Sequence, residues 1–317
     1  MTMDFRQTHL GNGLTVIAEV NPAAASLAVG FFVATGGRDE EPAVSGVSHF
    51  LEHMVFKGTA RRSALDVNRE LDEMGAEANA GTGEENTAFY AHVLPEFQGL
   101  AVDLLADILR PSLRQEDFDM EKKVILDEIA RYDDLPHFRL YEKLMAEHFR
   151  GHPLGRNILG TRESVGALRR EQMLDYFSRR YRAGNITAVA TGNLDFDRLV
   201  EDLGRLCGPW PPGGAERERP PPPVQRGRKI IADEKVVRQN MGLMSAAPDA
   251  RDARRHAAHL LATVFGDSTG SRLYYALTEK GLADEAGTSY SSMDGAGALV
   301  TFLSCDPDKA TDRKSVV

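Results

Sequence analysis

The first hydrophobic pattern along the chain is typical of β-strands. Apolar and polar residues alternate in Leu14–Val20, and the pair Asn12-Gly13 separates this run from Phe5–Leu10. Alternation with period two turns one face of a strand toward a core, and Asn-Gly is the dipeptide that type I′ turns favour. The sequence therefore predicts that the fold opens with an antiparallel hairpin.

The next two hundred residues or so alternate between strand-like runs and helical spacing. Strands are predicted at Leu27–Thr35, Glu77–Gly81, Asn86–Leu94 and Ile186–Thr191, and helices at Val44–Lys57, Ala64–Met74, Glu96–Leu109, Glu116–Tyr132, Phe138–Phe149, Glu171–Tyr181 and Phe196–Leu206. Helices interleaved with antiparallel strands indicate an α+β fold in which helices pack on antiparallel sheets.

The composition changes abruptly at Gly208–Gly227, where proline, glycine and charged residues replace the periodic pattern. The run Pro220–Pro223 can form neither a helix nor a central strand. We therefore predict a first domain at 1–207, a linker at 208–228 and a second domain at 229–317. Predicted strands at Lys229–Asp233 and Val236–Ala246 and a helix at His256–Phe265 loosely repeat the first domain. This predicts two homologous α/β sandwich domains, the second non-catalytic and truncated.

Composition and charge narrow the class of protein. The 317 residues are 42% hydrophobic, enough for two cores, and the net charge of −9 argues against a nucleic-acid binder, which needs a basic face. Cys207 and Cys305 are the only cysteines, too few for a disulfide framework. The sequence has no apolar stretch of about 18 residues. We expect a cytoplasmic protein that binds no membrane.

The chemistry concentrates in His49-Phe50-Leu51-Glu52-His53. Residues three and four apart share a helix face, so His49, Glu52 and His53 project together from a helix that is otherwise apolar. Such a string on a polar helix is usually a solvated face, but burying these three groups is costly unless a partner compensates them. Two imidazoles at this spacing reach one tetrahedral zinc ion, with Glu52 beside the fourth position as a base.

A third ligand is expected from the helix at Glu116–Tyr132. Its apolar stripe includes Glu121 and Glu128, which lie about 10 Å apart along the helix axis, so both can hardly bind one ion. One of the two acids is expected to bind the metal and the other to support the site. The spacing does not decide which.

At these residues the sequence resembles the insulinase/pitrilysin family of inverted-motif zinc metallopeptidases, in particular its mitochondrial processing peptidase-like branch. Beyond the HxxEH string, the resemblance includes Asn79-Ala80, the two acids and the run His152-Pro153-Leu154-Gly155. It implies one zinc ion per chain with Glu128 as the third ligand, Glu52 as the catalytic base and Glu121 as an assisting residue. It also implies that an extended peptide substrate pairs with the strand at Asn79 and Ala80.

The resemblance extends in part to the second domain. Family members use an arginine and a tyrosine there to steady the reaction intermediate, and Arg272 fits the arginine. Asp284 stands where the tyrosine is expected, and an acid cannot stabilise an oxyanion as a phenol does. The resemblance further implies a homodimer, or a heterodimer with an inactive homologue, that closes a chamber.

The sequence thus predicts a zinc-dependent endopeptidase acting on oligopeptides or unstructured segments. The alternative is a catalytically silent structural or binding subunit of a homologous peptidase complex. The retained His49, Glu52, His53 and Glu128 favour the enzyme, whereas Asp284 and the short second domain favour the silent subunit.

Overall fold

The computed structural model describes residues 4–223, 225–234 and 236–309. Its backbone contacts divide the chain into two compact units, Met1–Ile129 with Asn157–Arg217 and Ala130–Arg156 with Glu218–Val317. Residues 130–156 thus group with the C-terminal part of the chain, although they precede the predicted linker. The division into homologous domains at 208–228 stays a prediction.

The first unit contains a six-stranded sheet. Its strands are β1 (Asp4–His9), β2 (Thr15–Val20), β3 (Leu27–Val33), β4 (Glu77–Thr82), β5 (Thr87–Val93) and β6 (Ile186–Gly192). The strand order is β1-β2-β6-β3-β5-β4, and β4 therefore lies at an edge. All neighbours are antiparallel except β2 and β6, which are parallel and are joined by a long connection that contains β3, β4, β5 and several helices.

α-Helices lie between many of the strands along the chain. They are α1 (Val47–Val55), α2 (Ala64–Glu73), α3 (Gln98–Ile108), α4 (Gln115–Asp133), α5 (Pro136–His148), α6 (Arg162–Ala167), α7 (Arg170–Arg180), α8 (Phe196–Cys207) and α9 (Arg255–Gly266). The predicted class, an α+β protein with helices packed on sheets, is confirmed. None of the helices in the described ranges is both long and apolar enough to cross a bilayer.

The hairpin between β1 and β2 forms as predicted, but its turn is not type I′. That turn needs positive φ at both central residues, whereas only Gly13 has one, at 96°. The side-chain amide of Asn12 instead donates a hydrogen bond to the carbonyl oxygen of Cys207, the last residue of α8, at 2.7 Å. A contact distant in sequence therefore adds to the local hydrogen bond that Asn12 Oδ1 accepts from the Leu14 backbone N–H at 3.2 Å.

The second unit contains a three-stranded antiparallel sheet of β7 (Gln239–Ala246), β8 (Glu285–Met293) and β9 (Ala296–Cys305), in the order β7-β9-β8. The predicted strand at Lys229–Asp233 is wrong, because this segment is irregular and exposes Ile230 and Ile231. A strand needs a neighbouring strand to satisfy its backbone, and apolar residues alone do not supply one.

The helix α1 lies in the core of the first unit. Val47, Phe50, Leu51, Met54 and Val55 are each at most 1% exposed. Complete burial of such a side chain contributes about 1.5–3 kcal/mol. These contacts fix both the position and the rotation of α1, and so the direction in which its polar face points.

The amino terminus of α1 is capped from a distance. Its N-cap residue, Gly46, has a φ of 92° and no side chain to cap with. The buried carboxylate of Glu40 accepts hydrogen bonds from the backbone N–H groups of Gly46 at 2.7 Å and Ser48 at 2.8 Å. A negative charge at this end also interacts favourably with the helix dipole. The first turn of α1, which includes His49, is held in place by these bonds.

Candidate metal centre

Three predicted site residues meet where α1 faces α4. Glu128 Oε2 lies 3.8 Å from His49 Nε2 and 3.5 Å from His53 Nε2. One potential ligand atom from each residue lies within 4.8 Å of the other two. Around a tetrahedral zinc ion with bonds of about 2.0–2.1 Å, neighbouring ligand atoms are roughly 3.3 Å apart. The three side chains are therefore close to the spacing that one ion requires.

The state of His49 fits a metal. The residue is 8% exposed, and its Nδ1 has no hydrogen-bond partner in the described part of the chain. Its Nε2 is beyond hydrogen-bond distance of Glu128. Burial, reinforced by the neighbouring His53, lowers the pKa of His49 to about 3, so the ring is neutral at pH 7 and can donate a lone pair to a cation.

Glu52 projects from the same helix between the two histidines and is half-buried. Its Oε2 accepts a hydrogen bond from the Thr82 hydroxyl at 2.5 Å. Burial raises the pKa of Glu52 above its ordinary value, and the Thr82 hydrogen bond opposes that shift in part. Glu52 is thus a carboxylate with a raised proton affinity beside the cluster, as a general base requires.

Glu121 lies on the other side of His53. Its Oε1 is 2.9 Å from His53 Nδ1, and its Oε2 is 2.6 Å from Lys57 Nζ. Burial alone would raise the pKa of Glu121, but the hydrogen bonds from His53 and Lys57 outweigh it and lower the pKa. An ionised carboxylate at Nδ1 orients the imidazole so that Nε2 points toward Glu128.

The same carboxylates act on His53. Burial alone would lower its pKa, but the hydrogen bond to Glu121 and the charges of Glu128, Glu121 and Glu52 together raise it. The site therefore carries an excess of negative charge around the Nε2 atoms. A divalent cation bound there would compensate that charge.

The remaining predicted residues lie elsewhere. Asn79 and Ala80 are on β4, where Asn79 Oδ1 accepts from the Ala80 backbone N–H at 2.9 Å. Arg272 belongs to the second unit and is exposed. Asp284 also lies in the second unit, where it forms an ion pair with Arg238.

Sequence reasoning missed three residues around the site: Glu40, Thr82 and the amino group of Lys57. Of the three, only Thr82 could have been placed near the site from the sequence. It is two residues after Ala80, and alternation puts both side chains on one face of β4. The roles of Glu40 and Lys57 depend on approaches between distant segments, which spacing along the chain does not reveal.

A buried helix with two histidines, packed against a sheet and facing a carboxylate from a second helix, defines an α+β protein with a candidate metal centre. The model of the insulinase family (peptidase family M16) matches residues 15–162, and that of the peptidase M16 inactive domain matches 167–317. The chain belongs to this insulinase family, M16.

Its relatives are named as zinc proteases. An uncharacterized zinc protease of Mycobacterium leprae (strain TN) is 35% identical over 319 residues, which cover 98% of this chain and 71% of that protein. An uncharacterized zinc protease of Bacillus subtilis (strain 168) is 31% identical over 293 residues, covering 92% and 71%. These similarities place the chain among zinc peptidases in the broad sense.

Solved structures share the fold. A protease from Helicobacter pylori superimposes with a TM-score of 0.90 at 19% identity, covering 99% of this chain and 78% of that one. Pitrilysin superimposes with a TM-score of 0.78 at 21% identity, covering 100% of this chain and 35% of its own. At such identities the likeness establishes the fold alone.

Proposed function

We propose that this chain is a zinc-dependent endopeptidase that hydrolyses peptide bonds in oligopeptides or unstructured polypeptide segments. The observation that carries the proposal is the approach of Glu128 Oε2 to the Nε2 atoms of His49 and His53, with Glu52 beside them. His49, His53 and Glu128 would hold the ion, and Glu52 would remain outside the ligand set.

Zinc in such a site polarises the scissile carbonyl and lowers the pKa of a water molecule to about 7. The residues of the chain supply proton transfer. Glu52 accepts the proton that the attacking water loses and then donates it to the nitrogen of the leaving amine. Its raised pKa suits both steps, since a group with a pKa nearer neutrality exchanges protons more readily at neutral pH.

Substrate recognition is assigned to β4. In the described part of the chain this strand pairs with β5 on one side and lies at the edge of its sheet on the other. An extended peptide can add to such an edge through backbone hydrogen bonds, which a folded segment cannot offer. Asn79 and Ala80 are on this strand and are proposed substrate-binding residues. Arg272 is proposed to contribute to substrate binding from the second unit.

The test is hydrolysis of a quenched fluorescent peptide library by the zinc-loaded wild-type chain and by Glu52→Gln. We expect the variant to keep its zinc and to lose at least about 10²-fold in kcat, the usual contribution of acid–base catalysis. Asp127→Asn is the matched control, because Asp127 lies on the same helix as Glu128 but is exposed. Equal activity of wild-type and Glu52→Gln would exclude the proposed mechanism.

A zinc-bound wild-type chain that cleaves no peptide in the library would favour the silent structural or binding subunit. Assembly as a homodimer, or as a heterodimer with an inactive homologue, also belongs to the proposal, and sedimentation of the purified chain tests it. The cytoplasmic location stays a prediction.

A further inference from the structure

Thr82 connects the strand proposed to bind substrate with the proposed base. It is the last residue of β4, and its hydroxyl oxygen is 2.5 Å from Glu52 Oε2. A hydroxyl that donates to a carboxylate at 2.5–2.7 Å forms a charge-assisted hydrogen bond, roughly twice as strong as a neutral one. The position of Glu52 is therefore fixed by a hydrogen bond from β4 as well as by its place on α1.

On β4, the atoms that would pair with a peptide differ from the atom that holds Glu52. Burial alternates along the strand, with Ala78, Ala80 and Thr82 half-buried and the residues between them exposed. Side chains leave a strand through its faces, whereas the backbone donors and acceptors point along the sheet. A peptide pairing with the free edge of β4 would thus leave the Thr82 hydroxyl bound to Glu52. One rigid strand would then fix both the peptide backbone and the carboxylate.

We propose that Thr82 is a positioning residue, which holds Oε2 of Glu52 so that Oε1 faces the water that attacks the docked peptide. This inference rests on the proposed peptidase function. In the reaction, an O–H bond of the water breaks and its proton joins Oε1, while the water oxygen bonds to the carbonyl carbon and the C=O π pair moves to the carbonyl oxygen. The proton then passes to the amide nitrogen as the C–N bond breaks, so the Thr82 hydroxyl keeps its own proton throughout.

Two substitutions separate this role from a purely structural one. Thr82→Val keeps the shape of the side chain and removes the hydroxyl, whereas Thr82→Ser keeps the hydroxyl and removes the methyl group. The matched control is Thr87→Val. Thr87 pairs with Thr82 across the two strands, and its buried hydroxyl donates to the carbonyl oxygen of Thr35 at 3.0 Å rather than to Glu52.

Steady-state kinetics on one cleavable peptide, with zinc content measured on each sample, give the readout. We expect Thr82→Val to lower kcat about tenfold or more, since a misplaced catalytic group can cost up to about 10²-fold. Its KM and zinc content should stay within about twofold of wild-type, because the Thr82 hydroxyl contacts Glu52 and not a proposed zinc ligand, and valine keeps the backbone that would pair with the peptide. Thr82→Ser should recover most of kcat, and Thr87→Val should lower thermal stability but not kcat.

Wild-type kcat in Thr82→Val, or an equal loss in Thr82→Ser, would overturn the positioning role while leaving the peptidase assignment intact. A zinc-loaded wild-type chain without activity would instead contradict the proposed function, and the positioning role with it. If Thr82→Val does not fold, the kinetics of Thr82→Ser alone test the inference. Thr82→Ser must then retain at least about half of the wild-type kcat, and a larger loss would overturn the positioning role.

Discussion

The ring of Phe50 stacks on the ring of Phe118, with centroids 4.6 Å apart and planes inclined by 15°. Both rings are at most 1% exposed. Phe50 lies on α1, between the two histidines, and Phe118 lies on α4, which carries both glutamates. The stacked pair therefore joins the helix that carries the imidazoles to the helix that carries the carboxylates.

Removing one ring should disturb the metal centre from a distance. We expect Phe118→Ala to lower the free energy of unfolding by about 3–5 kcal/mol and to weaken zinc affinity, although no ligand is changed. Urea unfolding in chelator and competition titration with a zinc indicator measure the two effects. The control is Phe149→Ala, equally buried but in the second unit. Equal zinc affinity in Phe118→Ala and wild-type would show that the stacking does not position the ligands.

Substitutions of the two glutamates of α4, Glu121 and Glu128, should have different effects. Glu128→Gln is expected to lower zinc affinity at least about 100-fold, because it removes a proposed ligand. Glu121→Gln should keep zinc near wild-type occupancy at saturation and mainly lower kcat, since it touches His53 only through Nδ1. Metal analysis after dialysis against buffered zinc measures zinc affinity, and peptide hydrolysis at saturating zinc measures kcat. Equal zinc loss in the two variants would contradict the assignment.

Glu40 should stabilise the helix that carries the histidines. Glutamine at this position turns an NH₂ group toward one of the two N–H donors of Gly46 and Ser48. We expect Glu40→Gln to cost about 1–3 kcal/mol in urea unfolding, the penalty of an unsatisfied buried group. Glu41→Gln, at the exposed neighbouring residue, should change stability by less than about 0.5 kcal/mol. Similar losses in both variants would argue against the capping role.

The buried thiol of Cys207 should cause the free energy of unfolding to decrease as the pH rises into the alkaline range. Burial raises the pKa of its thiol from an ordinary value of 9.0 to about 12. Because the folded-state pKa lies above the unfolded one, the contribution is complete below pH 9 and is lost between about pH 9 and 12, where only the unfolded chain releases the proton. Urea unfolding at pH 8, 9 and 10 should show a steeper decline in wild-type than in Cys207→Ala. Parallel declines would contradict the shift.

The sequence could predict α1 as the helix of the candidate metal centre, because apolar residues occupy the helix faces that the histidines do not. It could also predict the opening hairpin from local alternation. It could not predict the contact of Asn12 with the end of α8, or the irregular course of Lys229–Asp233. Nor could it predict the bond between Thr82 and Glu52. These features depend on contacts between segments distant in the chain, which leave no period in the sequence.

Anomalous diffraction at the zinc edge, from crystals of the chain grown with one equivalent of zinc, tests the central claim most directly. We predict one strong peak about 2.0–2.2 Å from His49 Nε2, His53 Nε2 and a carboxylate oxygen of Glu128, with Glu52 outside bonding distance. A peak elsewhere, or one that lacks Glu128 among its ligands, would contradict the account.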